Sequence, residues 1–399
     1  MAIATHPRAG PTPAAQRLAW LDVIRGITLL GILLINMQDY SAPPAAHALA
    51  GLDQAAAWLL RFAGEGKFRA MFQFLFGLGF GMQLLRAEGR GEALVPRYVR
   101  RLAVLFVLGL AHYVLLWEGD WLMYYALVGL ALLPFAKRSP RMLLITAGIL
   151  AGLTFIAFAA IVLAVPSVAS SGVDPEQAVK YVAYAGGSYA EVLAHRLPTL
   201  PVILPRTITG GPLMLAMFLL GLCASRTGIA ANPQKQAALV RRVFLISVVV
   251  GVALSLAFAF VGENAAQTPV VRALAMLAQV AGGPILALAY LSGLALLLLH
   301  ARWLALLKPL AAAGRMTLTN YLAQSLICTT IFYGYGLGWY NKMGTAAGIA
   351  LALLIFATQV ALSNLWFRRF QYGPVEWLWR SLTYARVPPI RKQALVEGA

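Results

Sequence analysis

Long apolar runs alternate with short, basic connections along almost the whole chain. A run of roughly 17–25 predominantly apolar residues is long enough to cross a bilayer as a helix. Ten such runs are found: Trp20–Gln38, Phe68–Leu85, Tyr98–Trp117, Trp121–Ala136, Met142–Val165, Ile208–Ala224, Val243–Val261, Val271–Leu299, Met316–Leu337 and Gly344–Phe367. Leu52–Phe62 and Pro175–Leu193 have the spacing of amphipathic helices, and Gly282-Gly283-Pro284 predicts a kink in the eighth span. The pattern predicts an all-α polytopic membrane protein of about ten spans. A segment 1–19 precedes the membrane domain 20–367, residues 166–205 form a broad polar loop, and 368–399 form a basic amphipathic tail.

Basic residues orient the bundle. Of the 32 Lys and Arg, 24 fall on one set of connections together with both ends of the chain, and 8 on the other. Lys and Arg accumulate on cytoplasmic loops, so both termini are placed in the cytoplasm. The alternation holds through all ten spans, which supports the count. Asp22 and Arg25 interrupt the approach to the first apolar run, which reads as an uncleaved span rather than a signal peptide. The basic, aromatic tail, with Trp377, Trp379 and Tyr384, is expected along the inner leaflet.

Composition agrees. The 399 residues are 60% hydrophobic and only 12% charged, against about 25% charged in soluble domains. A net charge of +18 would suggest nucleic acid in a soluble protein. Here the charge is parcelled between apolar runs and addresses anionic lipid, so the bilayer is the expected partner and nucleic acid is not. Cys223 and Cys328 lie singly in apolar runs, as packed thiols.

Polar groups inside spans are expensive and mark candidate sites. Asn36 and Asp39 fall near the outer end of the first span, and His112 in the outer part of the third. The hairpin after it carries Glu118 and Asp120, and Arg206 enters the sixth span from outside. These groups converge at one level. His112 and Asp120 lie across a tight antiparallel turn, and a carboxylate beside an imidazole is the minimal general-base unit. The alternative is structural: His112 bonding a neighbouring helix, Asp120 capping the fourth. The ninth span begins with Arg315 and carries Asn320, Gln324 and Ser325. This face either lines a cavity or bonds another helix, and Arg315 either holds a phosphate or snorkels to headgroups. Gly77-Leu78-Gly79-Phe80-Gly81 and Gly334-Tyr335-Gly336 follow no strand and read as helix packing, not phosphate loops. No GxSxG elbow, HExxH or metal-ligand cluster is present in the sequence, so no metal is predicted.

Several motifs in order resemble the YeiB-like family, also called domain of unknown function four-one-eight. They are Leu21-Asp22-Val23-Ile24-Arg25-Gly26 with Asn36; Gly66-Lys67-Phe68 with Phe74-Leu75-Phe76-Gly77; Gly109-Leu110-Ala111-His112 with Gly119-Asp120; Gly314-Arg315-Met316 with Thr319-Asn320-Tyr321; and Glu376-Trp377-Leu378-Trp379-Arg380. The family is similar in its first spans to heparan-α-glucosaminide N-acetyltransferase and to other transmembrane acyltransferases that modify envelope sugars. In that enzyme the opening motif leads to an Asn and, eleven residues on, a catalytic His. Asn36 and His47 keep this spacing. The resemblance implies a multi-pass protein of the bacterial inner membrane that moves an acyl group from cytoplasmic acyl-CoA, as co-substrate, to an extracytoplasmic sugar or glycolipid. His112, Asp120, Asn36 and His47 would then be catalytic, and Asp39, Glu118, Arg206, Asn320 and Gln324 would face substrate. Arg25 and Arg315 would hold the donor phosphates, and a homodimer enters as an expected assembly. The alternative function is a transporter or flippase for a small hydrophobic or lipid-like substrate.

Overall fold

A computed structural model describes residues 18–42, 51–164, 175–261 and 269–392. Among these the regular elements are helical, with one isolated β-bridge between Phe370 and Arg391. In chain order they are α1 (Ala19–Ser41), α2 (Leu52–Ala63), α3 (Lys67–Glu88), α4 (Val95–Leu115) and α5 (Leu122–Leu130). A 3-10 turn at Leu133–Phe135 leads to α6 (Pro140–Ala164), α7 (Pro175–Gly186) and α8 (Tyr189–Arg196). Then follow α9 (Ile203–Arg226), α10 (Ala237–Val261), α11 (Pro269–Leu297), α12 (Ala301–Arg315), α13 (Thr317–Phe332), α14 (Thr345–Arg369) and α15 (Pro374–Tyr384).

Eight helical stretches among the described residues are long and apolar enough to cross a membrane, built on α1, α2–α3, α4, α6, α8–α9, α10, α11 and α14. The chain is an all-α, multi-pass membrane protein. The remaining two predicted spans contain shorter helices. The 9 residues of α5 and the 16 of α13 make rods of about 14 and 24 Å, against a hydrocarbon core of about 30 Å. Pro134 has no N–H for the Leu130 carbonyl four residues back, so α5 ends there, and α13 stops where Tyr333 turns extended. Both segments still carry the chain between the two faces. Ala136, beyond α5, accepts a hydrogen bond from Arg226 at the basic end of α9. Beyond α13, the Asn341 N–H reaches the Ser41 carbonyl at the opposite end of α1.

The eighth predicted span is α11, which runs as one helix through Gly282-Gly283-Pro284. The basic connection holding Arg302 and Lys308 is itself an amphipathic helix, α12. Trp303 and Leu306 face outward, while Leu304, Leu307 and Ala311 pack into the core shared with α1. The centre of the bundle is set by glycine. A Cβ on Gly77 would lie 1.9 Å from the Phe218 carbonyl oxygen, and one on Gly221 2.0 Å from the Phe74 oxygen. The backbones of α3 and α9 therefore touch, the close approach that small residues permit in lipid. At the periphery, α6 turns Leu144, Ile145, Ile149, Leu153 and Ile156 outward, and α10 turns Ile246 and Val249 outward. Three hydrophobic clusters, centred on α3–α4–α9, α1–α13–α14 and α1–α3–α11, meet around an internal cavity.

Candidate active site

The cavity has a volume of about 390 Å³, within the roughly 300–1,000 Å³ usual for small-molecule sites. Its lining includes both Arg69 and Arg86, which lie 17 residues apart on α3, or about 25 Å along a helix. The space therefore crosses most of the bundle, with a basic end and an inner end.

Arg25, Arg86, Arg101, Arg315 and Arg380 surround the basic end, and Arg69 stands near the inner end. Asp22 and Glu376 are the only carboxylates among the lining residues. Asp22 pairs with Arg25 at 2.8 Å. Glu376, on α15, caps α13: its carboxylate accepts from the Leu318 and Thr319 backbones at 2.7 and 3.0 Å and from the Thr319 hydroxyl at 2.5 Å. Burial raises the Glu376 carboxyl above its ordinary range, against those hydrogen bonds. Four arginines lie instead on aromatic faces. Arg69 is 4.0 Å from the Trp121 ring, Arg101 4.1 Å from Trp379, Arg315 3.8 Å from Phe367 and Arg380 5.0 Å from Tyr372. A ring face holds the guanidinium plane without occupying its N–H edge, and Arg315 uses part of that edge to donate to the Gln371 carbonyl. The tail helix α15 thus builds the basic end, with Trp379 also donating to the Arg101 carbonyl while Leu378 and Leu382 stay exposed.

Between the ends the walls are apolar, with Leu29, Ile32, Phe72, Phe76 and Leu105. At the inner end stand Asn36, Arg69, Trp121, Leu122, Tyr125 and Tyr321. The Tyr321 hydroxyl is buried beside the Trp121 backbone, without a hydrogen bond of good geometry. Its ring packs against His112, centroid to centroid 5.0 Å.

Behind Tyr321 lies a buried chain of four polar side chains. His112 Nδ1 is 2.8 Å from Asp120 Oδ1, and Nε2 is 2.7 Å from Ser325 Oγ. The Tyr40 hydroxyl is 2.7 Å from the same Oγ. Asp120 uses its other oxygen to accept from the Met123 backbone at 3.0 Å, so it caps α5 and orients the imidazole at once. Gly109, one turn before His112, clears the space. A Cβ there would meet Met123 N at 2.7 Å and Asp120 Oδ2 at 2.9 Å. Hydrogen-bond arithmetic gives the chain a direction. An ionised Asp120 only accepts, so Nδ1 carries the proton of a neutral imidazole and Nε2 accepts from Ser325. The Ser325 proton is thereby used, and Tyr40 must donate to Oγ. The order is Tyr40 to Ser325 to His112 to Asp120, and none of the four is more than 2% exposed.

Other predicted residues are placed elsewhere. Asn320 donates to the Ala313 carbonyl and Ser363, while Gln324 donates to Gln359, which donates to the Asn320 carbonyl. This seam joins α13 to α14 and does not line the cavity. Glu118 pairs with Lys180 at 2.5 Å and accepts from Tyr184 at 2.8 Å. Burial would raise its carboxyl, but Lys180 and Tyr184 together hold it below the ordinary value. Glu118 thus ties α7 to the hairpin. Asp39 and Arg206 are exposed and do not line the cavity. His47 lies outside the described residues. Among those residues, no group of three His, Cys, Asp or Glu side chains is placed to hold a metal ion.

Residues 224–386, which include Tyr321, Ser325 and Glu376, match the family described as "Protein of unknown function (DUF418)". The chain is 34% identical to "Uncharacterized protein YxaH" of Bacillus subtilis (strain 168), over 97% of this chain and 99% of the relative. It is 30% identical to "Uncharacterized protein YeiB" of Escherichia coli (strain K12), over 94% and 98%. A third relative, from Bacillus acidopullulyticus, is 31% identical over 95% and 97%. Identity of this order over essentially full lengths extends the match beyond residues 224–386 to the helices that carry Asn36, His112 and Asp120, and the chain therefore belongs to the DUF418, or YeiB-like, family.

Proposed function

We propose that this protein is a transmembrane acyltransferase of the bacterial inner membrane, passing an acyl group from cytoplasmic acyl-CoA to a sugar or glycolipid at the opposite face. The observation that carries the reading is one continuous cavity joining an arginine-rich mouth to Tyr321, whose ring packs against the His112 of the Asp120–His112 pair. A polyanionic head fits the mouth. Five arginines there oppose two carboxylates, and phosphate oxygens pair well with guanidinium groups. The apolar walls suit a thin acyl-bearing arm. At the inner end Asn36 faces the cavity, where its amide can donate to the oxygen of a thioester carbonyl as charge develops there. Arg69 adds a cation at the same level.

His112 supplies the base. Asp120 fixes its tautomer and stabilises the imidazolium that forms. Nε2 lies on Ser325, so the base acts at that hydroxyl. Burial of the pair keeps water from competing with the acceptor.

The test uses the purified protein in proteoliposomes with radiolabelled acyl-CoA outside the basic face and candidate glycan acceptors on the other. Label should appear on the acceptor and fall to background in the double variant His112→Ala/Asp120→Asn. Transfer that survives in the double variant removes this mechanism. Substrate flux without any acylated product would favour the transporter.

A further inference from the structure

The Asp120–His112–Ser325 geometry does more than orient a base. We propose that Ser325 is the nucleophile that carries the acyl group between donor and acceptor as a covalent ester; this rests on the acyltransferase reading above. Three observations converge. The hydroxyl proton of Ser325 points at a base, since Nε2 at 2.7 Å can only accept once Nδ1 is held by Asp120. A second hydroxyl, Tyr40, donates to Oγ from the other side at 2.7 Å, which fixes the oxygen and leaves its proton no alternative strong acceptor. The Tyr321 carbonyl, at 3.4 Å, is a distant one. Finally, Ser325 lies one helical turn beyond Tyr321 on α13 (i, i+4), and Tyr321 forms the cavity wall. Turning that one side chain aside opens the triad to the cavity. The neighbouring Asn320–Gln324–Gln359–Ser363 seam is the contrast: it is equally polar and buried, but contains no titratable group and touches no cavity.

The steps balance. Ser325 Oγ attacks the thioester carbonyl carbon and its proton passes to His112 Nε2. The tetrahedral intermediate breaks its C–S bond, and the proton on Nε2 goes to the departing thiolate, leaving free thiol and an acyl-serine. The acceptor hydroxyl or amine then attacks the ester carbonyl and gives its proton to Nε2. The C–Oγ bond breaks and Ser325 takes the proton back. Asp120 stays ionised throughout and steadies the imidazolium in both halves. Tyr40 keeps its hydrogen bond to Oγ in the ester as well as in the alcohol. No co-reactant beyond the acyl thioester and the acceptor is consumed.

Full-length protein in proteoliposomes, incubated with labelled acetyl-CoA or octanoyl-CoA without acceptor and quenched in acid, should retain label. Peptide mapping should place that label on Ser325. Adding acceptor should discharge it. Ser325→Ala should take up no label and lose at least a thousandfold in transfer, while Ser325→Cys should retain a label that neutral hydroxylamine releases. Each variant is checked for an unchanged elution profile and melting temperature. Because Ser325→Cys keeps a nucleophile, an unfolded alanine variant still leaves the trapping result decisive. Wild-type transfer to acceptor with no label on Ser325, or transfer at the wild-type rate by Ser325→Ala, overturns the covalent step and leaves the acyltransferase reading intact. No transfer of either acyl group by the wild type overturns both.

Discussion

Asp120→Asn isolates the orienting role of the carboxylate. Two donors meet Asp120 on two different oxygens, His112 Nδ1 at 2.8 Å and the Met123 backbone N–H at 3.0 Å. Asparagine offers one oxygen and one NH₂. If the oxygen stays on His112, the NH₂ confronts the Met123 N–H, donor against donor in a buried site, at about 1–3 kcal/mol. If the oxygen stays on Met123, the NH₂ faces Nδ1, which must then accept. The imidazole proton moves to Nε2 and donates to Ser325. The second arrangement avoids that clash and leaves the Ser325 proton to the Tyr321 carbonyl at 3.4 Å, a weaker penalty than two opposed donors, so the helix end dictates it. Stability then changes by only about 1 kcal/mol. Chemistry suffers far more, because no base faces the Ser325 hydroxyl. The same tautomer error in a serine-protease triad lowers turnover about 10⁴-fold, equivalent to about 5 kcal/mol at roughly 1.4 kcal/mol per decade. Label transfer in proteoliposomes, measured beside the melting temperature, separates the two effects. A variant that transfers label within about threefold of wild type would refute the assigned direction of the chain.

Three further outcomes follow from other parts of the fold. Gly77→Ala drives a methyl group into the Phe218 carbonyl at 1.9 Å; it should destabilise the α3–α9 contact by about 1–3 kcal/mol, read as a lowered melting temperature in detergent, and an unchanged value would refute the backbone contact. Arg380→Gln removes one cation from the mouth, so the donor KM should rise about tenfold, as expected for one charge-assisted hydrogen bond, with kcat within about twofold; a fall confined to kcat would contradict the assigned place. Glu118 has a depressed pKa, so its stabilising pairing is present above the ordinary value of 4.5 and is lost as pH falls below it; hydrogen exchange across 180–196 should accelerate on acidification through that window in wild type, and Glu118→Gln should show the fast exchange already at pH 7.

The helical membrane fold was legible because lipid imposes a length on the helices that cross it. The two helices that fell short show where hydropathy alone stops. An apolar window does not register that Pro134 ends α5 or that the chain turns extended at Tyr333. Half of the site was legible for a similar reason. His112 and Asp120 stand eight residues apart across a tight hairpin, so nearness in sequence implied nearness in space. Ser325 lies 213 residues from His112, and Tyr40 285 from Ser325; a serine within an apolar helix carries no mark of what it faces. The same limit applies to the arginines. Their number and side were readable, but not that aromatic faces rather than carboxylates would hold them, because Trp379 and Tyr372 reach the mouth only once the tail has folded back under α4.

The two ends of the cavity obey different physics, and that division explains why the site is built from these residues. At the mouth the arrangement uses number: several half-buried arginines, three of them on ring faces, which the proposed reaction would use to hold a flexible polyanion. At the inner end the polar side chains are buried from solvent, so the arrangement uses position. Helix α4 contributes the imidazole and, one turn earlier, the bare backbone of Gly109 that lets Asp120 sit beneath it. Helix α13 contributes Ser325, and α1 contributes Tyr40. Three helices, each fixed by its own core contacts, must agree to within a hydrogen-bond length. A buried network satisfied at every atom is costly to assemble and rigid once made; the Asn320–Gln359 seam is rigid without any titratable group, so titratable groups placed one tyrosine from the cavity are what the proposed proton transfer would require.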